Sequence, residues 1–100
     1  MTATKTNPIP LVVTTLHKGV FFGHGIPTQE KTIVLEKAQM CVYWSADVRG
    51  VFGLAATGPN NGCKISPPVP EMTIQDITAI AKATPEAVEA WEKAGARKWA

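Results

Sequence analysis

The stretch Gln39–Pro59, QMCVYWSADVRGVFGLAATGP, decides how the chain is read. It opens on a dense apolar run, Met40-Cys41-Val42-Tyr43-Trp44. Branched and aromatic side chains pack well on a pleated surface, so a buried strand is expected here. Ser45-Ala46-Asp47 then interrupts it, because short polar side chains bond local backbone and favour a turn. Arg49 and Gly50 follow. Val51–Thr57 has the small, apolar pattern of a short helix, and Gly58-Pro59 ends it. One stretch thus supplies a strand, a polar corner bearing an aromatic and a cation, and a helix behind them.

Toward the N-terminus, Thr32–Leu35 reads as another strand. Glu36-Lys37-Ala38 is short enough to be the hairpin connection from it to Gln39–Trp44. Val20-Phe21-Phe22 is a strand ended by Gly23-His24-Gly25, whose glycines permit positive φ or a bulge. Leu11–His17 is the first strand, with a tight break at Lys18-Gly19. Residues 1–10, rich in Thr and Pro, read as a loose leader, which leaves residues 11–100 as a single domain.

Toward the C-terminus, Gly58–Pro68 is dense in Gly, Pro and Asn and reads as one long loop. Long ordered loops in compact domains are more often functional than short ones. Glu71–Ala83 carries two signals. Ile74, Ile77 and Ile80 recur at helical spacing, with Thr73 and Asp76 resembling a capping box. Against this, Thr73, Ile74, Ile77, Thr78 and Ile80 are all β-branched, and the strand reading is preferred. Thr84-Pro85-Glu86 starts a helix: Thr caps, Pro pre-sets φ, and Glu faces the positive end of the dipole. Val88 and Trp91 share its inward face, and Gly95 is the expected stop. The tail Arg97–Ala100 can fray or dock. The expected fold is α+β: a small bent antiparallel sheet or partial barrel of four or five strands, one short helix after Arg49, and a C-terminal helix at Pro85–Ala94.

Bulk properties narrow the function. At 100 residues there is room for one core, and 45% hydrophobic with 18% charged residues is a globular balance. A net charge of +2 with interspersed signs gives no reason to expect a nucleic-acid partner. No run approaches the roughly 18 apolar residues of a membrane span. The first residues hold one Lys and no apolar core of a signal peptide. A soluble cytoplasmic protein is expected, with Cys41 and Cys63 as reduced thiols.

Catalytic constellations are not legible. His17, His24, Cys41 and Cys63 show no paired metal-ligand spacing, so neither a metal nor another cofactor is expected. Gly58–Lys64 lacks the Gly-Lys-Ser/Thr ending of a P-loop. Neither a nucleophile elbow nor a compact acid pair is present, and an enzyme is not expected. What remains is a binding chemistry. Tyr43 or Trp44 can stack on a base, and Arg49 and Lys64 can hold an anion. Asn60, Asn61 and Ser66 lie on the same loop as Lys64, which can offer polar groups and backbone N–H to phosphate. The plainer alternative makes the aromatics core or subunit-interface residues and the loop a solvated turn.

The order Lys18-Gly19-Val20-Phe21-Phe22-Gly23, Tyr43-Trp44, Gly50…Leu54-Ala55-Ala56-Thr57-Gly58-Pro59, Lys64-Ile65-Ser66 and Thr84-Pro85-Glu86-Ala87 resembles a family of small bacteriophage and prophage proteins. The resemblance covers about residues 11–92. This chain departs at Ala38-Gln39, where such relatives often carry Arg after the Ala. The resemblance implies a phage accessory protein. By analogy it implies a role like that of sponges, which sequester the cyclic-nucleotide or ADP-ribose-derived signals of CBASS and Thoeris defence. A homo-oligomer is expected, because so small a chain has little interior in which to enclose a ligand. The runner-up is a phage inhibitor that docks on a host protein.

Overall fold

The computed structural model describes residues 8–16, 19–44, 50–60 and 63–96. In chain order these form β1 (Ile9–Thr15), β2 (Val20–Gly25), β3 (Thr32–Tyr43), α1 (Gly50–Ala56), β4 (Lys64–Ile65), β5 (Val69–Gln75), β6 (Ile77–Lys82) and α2 (Pro85–Ala96). The strands make one antiparallel sheet in the order β4-β3-β2-β1-β6, with β5 also on β3. This is the expected α+β fold, with six strands rather than four or five.

The sheet is curled by its last two strands. β5 pairs with β3, β6 pairs with β1, and Asp76 alone separates them. Asp76 sits at φ 57, a left-handed conformation that bends the run. Its carbonyl accepts from Leu16 N at 2.9 Å, while Ile77 N donates to Lys31 O at 3.1 Å. One kinked run therefore holds the end of β1 and the start of β3 together. The β-branched residues of 73–80 suit this role, which is why strand won over helix there.

Two cores result, one on each face. Leu11, Val13, Ile33, Leu35, Ala38 and Ile74 fill the inside of the curl, with Phe21, Met72, Ile77 and Ile80 around them. Val12, Val20, Phe22, Cys41 and Ile65 point outward and are covered by Leu54 and Ala55 of α1 and Ala87, Trp91 and Ala94 of α2. Leu11, Val12 and Val13 are consecutive and all fully buried, as a strand covered on both faces requires. Gly23 and Gly25 extend β2 instead of ending it. Their use is close approach rather than positive φ: a Cβ at Gly23 would lie 2.8 Å from Leu35 Cβ, and one at Gly25 2.8 Å from Val34 O.

The expected hairpin at Glu36-Lys37-Ala38 is not formed. Residues 32–43 run as one strand, because β2 and β5 pair through this segment on its two edges: His24 opposes Glu36, Glu36 opposes Glu71, and Ala38 opposes Val69. Lys37, at φ 53, is the extra residue of a bulge against β2. The long loop after α1 also contains β4. The first strand begins at Ile9, earlier than expected, and its predicted end at His17 lies outside the described residues.

The two helices are bonded to each other through the end of α1. The last four carbonyls of a helix lack intrahelical partners. Here Gly53 O accepts from Thr57 N and Gly58 N, Leu54 O from Trp91 Nε1 at 3.0 Å, Ala55 O from Thr84 N, and Ala56 O from Thr84 Oγ1. Thr84 also caps α2, accepting from Ala87 N at 3.1 Å. Trp91 stacks on Phe22 at 5.0 Å between ring centroids. Gly95 does not stop α2. It lies inside the helix, where an added Cβ would run into Gln39 Nε2 and approach Ser66 O.

Candidate functional site

The predicted binding corner is partly assembled. Register across β3 and β4 sets Tyr43 opposite Lys64. Both are exposed, Tyr43 at 55%. Trp44, the next residue, is half-buried and packs against the helix-side core with Val51. Tyr43 is therefore the aromatic that faces solvent and Trp44 the one that packs.

The polar loop residues are drawn into the fold. Ser66 Oγ accepts from Met40 N at 2.8 Å, and Ser66 N donates to Met40 O at 2.9 Å, so Ser66 continues the β4 ladder. Asn60 O accepts from Cys63 N at 3.1 Å and its Oδ1 from Cys63 Sγ at 3.5 Å, a local turn that seats Cys63 in the core. Of the predicted site residues, Tyr43 and Lys64 are brought together, and Trp44, Asn60 and Ser66 take structural partners. Arg49 and Asn61 lie outside the described residues.

Both cysteines are free and buried. Burial pushes the Cys41 thiol up to about 12, and the neighbouring Cys63 adds to this, against a smaller opposite effect from the bond to Tyr43 O. A thiol held neutral in this way is not a nucleophile near neutral pH.

A second locus went unread in the sequence. A cleft of about 110 Å³ opens beneath α2, lined by Phe22, His24, Lys37, Gln39, Pro68 and Glu92. His24 Nδ1 is buried and has no hydrogen-bond partner among the described residues. Its ring meets Phe22 edge-on, 5.7 Å between centroids. Gln39 is 3% exposed, and its Nε2 donates to Trp91 O at 2.9 Å and Ser66 O at 3.3 Å. The Gln39 side chain thus ties α2 to the sheet. These cleft residues are scattered over β2, β3, the β4–β5 link and α2. No sequence signal points to them, because the positive φ of the Lys37 bulge is invisible in sequence.

Among the described residues no helix is long and apolar enough to cross a membrane. No curated protein and no solved structure matches the chain. Residues 9–91 match the family described as Domain of unknown function (DUF6948), a span from β1 to the middle of α2, and the chain belongs to that family.

Proposed function

We propose that this protein is a non-enzymatic phage accessory protein that binds and sequesters a nucleotide-derived immune signal, a cyclic nucleotide or an ADP-ribose derivative. The observation that carries this reading is the pairing of exposed Tyr43 with exposed Lys64 across β3 and β4. A phenol face beside an ammonium offers stacking to a base and a cation to its phosphate. Arg49, just before α1 in sequence, is the second cation of the site. In this reading the protein works in the host cytoplasm as a homo-oligomer whose subunits together enclose the ligand.

The test is binding of the purified chain to a panel of cyclic nucleotides and ADP-ribose derivatives, with Tm measured beside affinity. Stacking on an aromatic is worth about 1–3 kcal/mol per base. A hydrogen bond to a charged group is worth about 1.5–3 kcal/mol. Lys64→Ala and Arg49→Ala should each weaken binding about ten- to a hundred-fold with Tm unchanged. Intact ligand should be recovered on denaturation; a degraded one would make the protein an enzyme. If both variants melt and bind as wild type does, the corner is not the site.

A second reading, docking on a host protein, draws on the exposed apolar residues Val42 (53%) and Phe52 (88%), neighbours in sequence of the same corner. It predicts no nucleotide binding and a stable host complex that Phe52→Asp abolishes.

A further inference from the structure

We infer that the cleft beneath α2 is a binding site of its own and takes a small zwitterion of about the size of a free amino acid. It is distinct from the Tyr43–Lys64 edge. Lys37 and Gln39 stand four to six residues back along β3 from Tyr43, roughly 13–20 Å at about 3.3 Å per residue.

Size excludes a whole nucleotide. The cleft holds about 110 Å³, whereas pockets for drug-sized ligands run to about 300–1,000 Å³. Charge then selects among small molecules. Lys37 and Glu92 line the same cleft with opposite signs, and neither has an ion-pair partner among the described residues. A lone anion would meet the Glu92 carboxylate, and a lone cation the Lys37 ammonium. A molecule carrying both charges satisfies both walls.

Two further features bear on the cleft. His24 Nδ1 is a buried polar atom without a partner among the described residues, the kind of group that native interiors rarely leave unmatched. As placed, Nδ1 is out of reach of the cleft; a half-turn about χ2 exchanges it with Cδ2, and a bond to the ligand requires that this turn present Nδ1 to it. Lys37 holds φ 53 as the extra residue of the bulge against β2. The bulge places Lys37 in the lining of the cleft. Below it, Gln39 is fixed by two carbonyls and forms a rigid floor.

The experiment titrates the full chain with a panel of free amino acids at millimolar concentration. Sodium phosphate and methylammonium chloride serve as single-charge controls. Nitrogen NMR follows the His24 imidazole, and Tm is recorded throughout. At least one amino acid should shift the Nδ1 resonance saturably, and neither control should. Glu92→Gln should weaken that binding by about tenfold or more. Lys37→Gly should weaken it equally without lowering Tm, since glycine suits a positive φ. The inference is overturned if no amino acid shifts the resonance, if phosphate or methylammonium alone saturates it equally well, or if Lys37→Gly binds as wild type does.

Discussion

Cys41 shows how burial sets the chemistry of a single residue. Its pKa in the fold is about 12 against an ordinary 9.0. The folded state therefore holds the thiol proton more tightly than the unfolded state does. The resulting stability is fully present below pH 9 and is lost as pH rises from 9 toward 12. Urea unfolding across that range should show the decline, and Cys41→Ala should flatten it. Thiol-reactive dyes should label native Cys41 far more slowly than the denatured chain near neutral pH. Tyr43 and Trp44 make the complementary point. They are adjacent in sequence, yet one is exposed and the other packed, so Trp44→Ala would confound stability with binding.

At the scale of elements, α1 is too short to stand alone. A helix of 7 residues cannot offset its nucleation cost, and α2 completes it by bonding its terminal carbonyls. Trp91→Phe keeps the stacking on Phe22 but leaves Leu54 O buried without its donor. The expected loss is about 1–3 kcal/mol. Hydrogen exchange should then rise in α1 more than in β1 or β2; a uniform rise would mean that α1 does not depend on this bond. Gly58 explains why the two helices can sit so close. At φ 84 an added Cβ would lie 2.5 Å from Ala90 Cβ, so the position is closed to other residues by both conformation and space.

For the whole molecule the decisive point is Asp76. It joins the strand on β3 to the strand on β1, so both ends of the curled sheet open if it fails. A β-branched residue is a poor occupant of the left-handed region. Asp76→Val should destabilise by at least about 1–2 kcal/mol. The amides of Leu16 and Ile77, bonded on either side of the kink, should lose exchange protection together. Loss at one alone would show that the kink does not couple the two edges.

The local elements were legible because their causes are local. The apolar run at Met40–Trp44, the Thr84-Pro85-Glu86 helix start and the β-branched residues of 73–80 act through propensity and capping, which a sequence displays. Pairing partners decided the rest. The continuity of β3 through Lys37, the buried Gln39 and Gly95 pressed on it depend on which segments lie alongside. The same holds for the sites. The sequence by itself determined that Tyr43 and Lys64 have the residue types for binding, and the β3–β4 register set them side by side. The His24 cleft was decided by tertiary structure alone, because its residues share no spacing and meet only where α2 crosses a bulged sheet.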